Sequence, residues 1–351
     1  MKVIHIVHNY YGFSGASLQA KNLASEINKK GDIKQFFFTR INKANKVTHD
    51  DDHFNVIPSK CNWTRAITFG RFCLKIKPDI VHFHGADFLL LLVCYCLNIK
   101  IYWKSTLLGS DDFRTLCGNG IRGKVKRKLL KRIDVNNTLT KQIYDINREY
   151  IDESQLVIVP NGVELPNIDI CRDKSKIAII ISALIPRKGI IEGIRFYINN
   201  LEKLGYTLHV IGPLDPNLEG YNASYVDECI NYRSENIIFE GSLSHTAVKD
   251  FLCRAQFLIH LSRKEGMPNV VLEAMAYGLV PILGDMDGLA YELLSSESLG
   301  FVVGDKVFNE SYYNKMNVEG RHYVETNNGF PVIASKTIAI YEKLMQKKWP
   351  K

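Results

Sequence analysis

Apolar and polar positions follow two rhythms along this chain. Short unbroken apolar runs predict strands buried on both faces at Val3–Val7, Lys34–Thr39, Ile80–His84, Ile99–Trp103 and Leu156–Val159. After residue 176 the same kind of run returns at Ile177–Ile181, Thr207–Ile211, Ile237–Gly241, Phe257–Leu261 and Leu279–Leu283. Between the runs, apolar residues fall at helical spacing. Leu18, Leu23, Ala24 and Ile27 predict a helix closed at Lys30-Gly31, and Asn62–Lys77, Phe88–Leu97 and His245–Arg254 read the same way. Strands alternating with helices imply parallel sheets wound on both faces. The polar stretch Pro166–Lys176 separates two such series. The expected organisation is an acceptor-side Rossmann-like domain over 1–168, a donor-binding domain over 169–335, and a last helix over 336–351 that packs back on the first domain.

One βαβ unit carries most of the chemistry. The run Phe257–Leu261 leads into Ser262-Arg-Lys-Glu265-Gly266-Met267-Pro268-Asn269, then a helix through Glu273 to Tyr277, a Gly278 stop and the run Leu279–Leu283. Pro268 suits the first helical position, where the missing N–H is not needed. The N–H groups of Asn269, Val270 and Val271 are then expected as unpaired donors at the positive end of the helix, a site for phosphate or sugar oxygens. Glu265 precedes that end. Glu273 lies about five residues further on, roughly 7–8 Å along the axis.

Composition narrows the classes. A 46% apolar and 23% charged chain of 351 residues is that of a globular protein. The longest apolar run, Phe88–Leu97, is about half of a bilayer span. No export signal is read at the N-terminus, so the eight scattered cysteines are expected as reduced thiols and the protein as cytoplasmic. The net charge of +8 points to an anionic partner: nucleic acid, a phosphorylated small molecule or a membrane surface. The Gly12–Gly15 loop follows the first strand but lacks both the dinucleotide and the Walker order of glycines, which argues against a dehydrogenase or an NTPase.

The order of these signals resembles glycosyltransferase family 4, the retaining GT-B enzymes that use nucleotide-activated sugars. The resemblance runs from the Gly12–Gly15 loop through Pro78-Asp-Ile-Val-His82-Phe-His84 and Val159-Pro-Asn161-Gly162-Val163. It continues in Pro186-Arg187-Lys188-Gly189, Val210-Ile-Gly212-Pro213 and Phe239-Glu-Gly241, and ends in Glu265-Gly-Met-Pro268 with Glu273 and Glu292. It implies a GT-B fold, two Rossmann-like doubly wound domains facing across a cleft. It implies transfer of a hexosyl unit from a nucleotide-diphosphate sugar to a glycan or polyprenyl-linked acceptor, as in surface polysaccharide synthesis, with no metal or other cofactor. By the same resemblance Glu265, Lys188 and Arg187 are the catalytic group. Glu273, Gly266, Met267, Pro268, Asn269, Val270, Gly15, Gly12, Gly212 and Leu243 would bind the donor.

Two departures stand out. Many relatives carry an arginine where this chain has Ala183; Arg187 is the candidate replacement, although side chains at i and i+1 point apart. Relatives also often place a histidine in the loop where this chain reads Lys104-Ser-Thr106-Leu. Thr106, Lys104, Asp111 and His84 are the acceptor-side candidates. Asp111-Asp112 suits a metal pair less well than a helix cap. The basic run Lys124–Arg132 and the 62–77 helix suit an anionic membrane or simply a solvated face. A non-transferring GT-B enzyme such as a sugar-nucleotide epimerase is the alternative activity, and nothing in the motif order supports nucleic-acid binding.

Overall fold

A computed structural model describes residues 1–11, 15–40, 48–49, 55–58, 62–167, 174–305 and 308–346, with backbone alone at 48–49, 55–58 and 62–63. Two compact units are formed, one by 1–162 with 330–351 and the other by 163–329. Each crossing thus falls a few residues from the boundaries expected at 168 and 335, and 168–173 of the expected linker lie outside the described residues.

Unit 1 begins β1 (Lys2–Val7), α1 (Gly15–Lys30), β2 (Lys34–Thr39), β3 (Thr48–His49), β4 (Asn55–Pro58) and α2 (Asn62–Ile76). It continues β5 (Ile80–Phe83), α3 (Phe88–Cys96), β6 (Lys100–Ser105), α4 (Phe113–Cys117) and α5 (Gly120–Leu130). It then runs β7 (Val135–Thr138), α6 (Lys141–Asn147) and β8 (Leu156–Ile158). The sheet order is β3-β4-β2-β1-β5-β6-β7-β8, parallel apart from the β3–β4 pair. In α1 the buried apolar positions are Ala20, Leu23, Ala24 and Ile27, while Leu18 is exposed. β7 was not legible as a strand. Its Val-Asn-Asn-Thr is buried yet polar, and Asn136 and Asn137 spend their amides on Trp103 O, Ser105 Oγ and Val159 N.

Unit 2 holds β9 (Ile177–Ile181), α7 (Ile190–Asn200), β10 (Thr207–Ile211), α8 (Ala223–Ile230), β11 (Ile237–Gly241) and α9 (His245–Arg254). β12 (Phe257–His260), α10 (Asn269–Ala276), β13 (Val280–Leu283), α11 (Leu289–Leu293), β14 (Phe301–Val302) and α12 (Tyr313–Asn327) complete it. Its six strands run parallel in the order β11-β10-β9-β12-β13-β14. The switch from β9–β10 to β9–β12 is the topological point beyond which doubly wound sheets bind ligands. The chain then returns to unit 1 as α13 (Phe330–Gln346), which packs on α1 through Lys30 Nζ to Ser335 Oγ at 2.6 Å and places Tyr341 OH 2.6 Å from His82 Nδ1.

No described helix is long and apolar enough to cross a membrane. Cysteines 73, 94, 96, 117 and 229 are free thiols, whereas Cys253 is disulfide-bonded, which departs from the expectation of reduced thiols throughout.

Candidate active site

The carboxyl ends of β9 and β12 build the centre of the site in unit 2. After β9 the chain makes a single 3-10 turn at Pro186–Lys188, ended by Gly189 at φ 64°. After β12 it runs through Ser262 to Glu265 and enters α10. The two loops are stitched together: Arg263 N–H donates to Arg187 O at 2.9 Å, and Ser262 Oγ lies 3.3 Å from the same oxygen. That backbone pairing brings three side chains to one carboxylate. Lys188 Nζ sits 2.5 Å from Glu265 Oε1, Arg187 Nη1 sits 3.8 Å from Oε2, and His260 Nε2 lies 3.4 Å from Oε1.

Arg187 and Lys188 therefore converge although they are sequence neighbours. The arginine folds back far enough to donate to Lys264 O at 2.6 Å, and the lysine reaches the other oxygen. Burial alone would push the Glu265 carboxyl up, but the His260 imidazole and the Lys188 ammonium outweigh it and hold the pKa at about 2. Glu265 is thus a fixed anion at neutral pH. His260 was missed in the sequence, where a histidine inside an apolar run reads as core.

Glu273 has the opposite environment. Burial raises its pKa, Lys249 partly offsets this, and Glu164 adds to it. Lys249 is itself bound to Glu164 at 2.8 Å, and among the described residues the Glu273 carboxylate has no hydrogen bond or ion pair. A half-buried carboxylate with both oxygens uncommitted is suited to a pair of hydroxyl donors.

The helix start differs in detail from the expectation. Pro268 is the cap residue rather than the first helical residue, and Asn269 opens α10. Val271 N–H bonds Pro268 O at 3.0 Å, which removes one of the three expected free donors. Gly266 and Pro268 are buried, and Met267 and Val270 pack partly against the core under α10. Gly212 has a sufficient internal reason: a Cβ there would stand 1.8 Å from Ser182 O, so the ends of β9 and β10 approach too closely for any side chain. Leu243, in the loop before α9, also packs against that core. Gly15 opens α1, and Gly12 lies outside the described residues.

In unit 1 the acceptor-side candidates are already engaged. Asp111 accepts from Thr106 N, Thr106 Oγ1 and Leu107 N, and Asp112 caps α4 through Thr115 N. The acidic pair thus staples a loop and caps a helix, and Thr106 spends its hydroxyl inside the same loop. Burial raises the Asp111 pKa, and these hydrogen bonds pull against it. Lys104 is buried and donates to Asn161 Oδ1 at 2.9 Å; burial lowers its pKa to about 8, and the Asp111 charge opposes the drop. Gln19 clamps the next peptide, giving Nε2 to Gly162 O at 2.8 Å and taking Gly162 N–H at 3.0 Å.

His5, His82 and His84 bring ring nitrogens within 4.8 Å of one another, the one such group of possible metal ligands among the described residues. His82 and His84 are stacked at 4.0 Å with an 18° interplanar angle. A ring lone pair lies in the ring plane, so two stacked imidazoles do not aim at a common ion. His5 bonds His84 Nε2 and Gln35 Oε1, both at 2.9 Å, and the trio reads as a buried neutral network joining β1, β5 and α13.

Residues 166–317 match the family described as Glycosyl transferases group 1. That match covers most of unit 2. The fold of the whole chain is that of GT-B glycosyltransferases. A sucrose-phosphate synthase from Thermosynechococcus elongatus superposes with a TM-score of 0.77 at 16% identity, over 98% of this chain and 99% of that one. HepE from Anabaena, in complex with UDP-glucose, gives 0.76 at 12% identity, over 98% and 100%. The lipopolysaccharide outer core galactosyltransferase WaaB gives 0.67 at 16% identity, over 98% and 100%. No curated protein matches by sequence. Glu265, Lys188, Arg187, Glu273 and His260 all fall inside the group 1 domain.

Proposed function

We propose that this protein is a retaining glycosyltransferase of family 4 that moves a hexosyl unit from a nucleotide-diphosphate sugar to a glycan or lipid-linked acceptor in surface polysaccharide synthesis, on the cytoplasmic side. The observation that carries the proposal is the Lys188–Glu265–Arg187 cluster beside the start of α10, within a group 1 domain. Departure of a nucleoside diphosphate builds negative charge on its phosphate oxygens. Fixed cations and oriented N–H groups stabilise that charge with little reorganisation. Lys188 and Arg187 are assigned this role, which makes the reaction metal-independent. Ionised Glu265 would accept hydrogen bonds from the donor sugar, and Glu273, with both oxygens uncommitted, would hold the ribose hydroxyls. The leaving phosphate would take the acceptor proton on the face it departs from, which returns the same anomeric configuration.

The relatives support the substrate class: HepE was solved with UDP-glucose, and WaaB is named as a galactosyltransferase of the lipopolysaccharide core. For an acceptor embedded in a membrane, α5 is the docking element we assign. Lys126, Arg127 and Arg132 turn back onto Phe88, Tyr150 and Tyr95, whereas Arg122, Lys124, Lys128 and Lys131 remain exposed beside Ile121 and Val125. Cations flanking exposed aliphatic side chains suit an anionic bilayer surface.

A thermal-shift screen over UDP-, GDP- and ADP-sugars tests the donor assignment, and stabilisation by none of them would refute it. With a stabilising donor in hand, Glu265→Ala is expected to lose most turnover while melting close to wild type. Product analysis separates transfer to an added acceptor from isomerisation of the donor, which is what the epimerase alternative requires.

A further inference from the structure

Lys188 holds Glu265 Oε1 at 2.5 Å, yet it is one of the two cations assigned above to the donor diphosphate. When Lys188 turns to phosphate, a carboxylate whose side chain is only 11% exposed is left with one oxygen uncovered. A nearly buried anion in that condition is costly, and it is free to rotate away from the sugar.

His260 stands behind the same oxygen. It is the last residue of β12, its side chain is 3% exposed, and Nε2 lies 3.4 Å from Oε1. That distance exceeds a good hydrogen bond, and among the described residues Nε2 makes no other: it is a buried polar atom without a partner there. Gly284 N–H donates to His260 O at 3.1 Å, which continues the ladder past the strand end and fixes where the ring stands. An imidazole N–H donates in the cationic form and in one neutral tautomer, so taking over the oxygen requires no proton transfer.

We propose that His260 is a positioning residue whose Nε2–H takes over Glu265 Oε1 as Lys188 moves to the donor phosphates, keeping the carboxylate ionised and aimed during transfer. The proposal rests on the donor reading of this site. In the free protein His260 and Lys188 both oppose the effect of burial on Glu265.

The test is a carbon-13 titration of glutamate carboxyls in the full chain, with and without UDP, in wild type, His260→Leu, His260→Phe and His260→Gln. Glu265→Gln assigns the signal. With UDP bound, the wild-type carboxyl is expected to stay ionised to well below pH 4, near its free value of about 2. In the Leu and Phe variants the midpoint is expected to climb toward the ordinary 4.5, and the amide N–H of Gln is expected to hold it down. Donor turnover should fall on the order of 10–100-fold in Leu and Phe with little change in donor KM, and recover in Gln. A Glu265 midpoint in the Leu and Phe variants equal to wild type overturns the proposal. Failure of UDP to bind counts against the donor reading instead. The free-protein titration then still decides whether His260 governs this carboxylate.

Discussion

Gly189→Ala offers a test in which one added methyl should reach the Lys188–Glu265 cluster. Gly189 adopts φ 64°, a left-handed conformation that costs an L-residue about 1 kcal/mol. Its added Cβ would also stand 2.1 Å from Leu261 O and 2.8 Å from Leu261 C, both backbone atoms. The two loops must open by roughly 1 Å to restore an ordinary contact. The Leu261 side is held by the ladder bond to His260 O, so the 186–189 turn is the part that yields. Moving it loosens the Arg263 N–Arg187 O bond and the Lys188–Glu265 pair, worth about 1 and about 1.5–3 kcal/mol. The expected loss is about 3–5 kcal/mol for the conformational cost and the two bonds together.

Gly205→Ala is the control. It has φ 81° but nothing within 4 Å of the added Cβ, so it should lose only the conformational part, about 1 kcal/mol. Urea unfolding followed by far-UV circular dichroism compares the two, and amide hydrogen exchange of residues 182–189 and 257–265 shows where the loss falls. Nucleotide-sugar turnover should drop in Gly189→Ala and hold in Gly205→Ala. Equal stability losses, or unchanged exchange across the two loops, would refute the reasoning.

Other outcomes follow from the same geometry. Asp111→Asn should destabilise unit 1 by about 1–3 kcal/mol, because one carboxylate satisfies three donors of the 106–107 turn; a urea midpoint by tryptophan fluorescence reads this, since Trp103 is buried in that unit and residues 163–329 contain no tryptophan. Burial lowers the His5 pKa from 6.5 to about 4, and His82 and His84 are also pushed well down by burial and by each other or their neighbours. Below 6.5 the unfolded chain takes up these protons before the folded one, so the contribution to stability is complete above about pH 6.5 and is lost as pH falls toward 4. The same fluorescence midpoint should therefore fall between pH 7 and 5, and a flat profile would contradict the buried neutral trio. Replacing Arg122, Lys124, Lys128 and Lys131 together with glutamine should abolish sedimentation with anionic vesicles at low salt without changing donor hydrolysis; retained binding would remove α5 from that role.

What the chain determined by itself is local and periodic. Apolar runs fixed the strand spans at Ile177–Ile181, Thr207–Ile211 and Ile237–Gly241 to the residue, because each is a short run rich in β-branched or aromatic residues and bounded by polar, glycine or proline residues. The order of Pro186-Arg-Lys188-Gly and Glu265-Gly-Met-Pro pointed to the group 1 family, since these turns and carboxylates are short contiguous stretches that can be read without the fold. β7 escaped because its Asn and Thr side chains are buried by pairing with backbone, a satisfaction that depends on neighbouring strands. Thr106 and Asp111 read as free polar groups and are instead spent on each other.

The Glu265 carboxylate returns to the same division. Glu265 was visible in the sequence, but its state was not. Lys188 lies 77 residues away in the chain and 2.5 Å away in space, and the backbone bond between their loops lets Arg187 share the task its neighbour performs. His260 precedes Glu265 by only five residues, yet the folded loop alone shows which oxygen it faces, because a pKa is set by what surrounds a group in three dimensions.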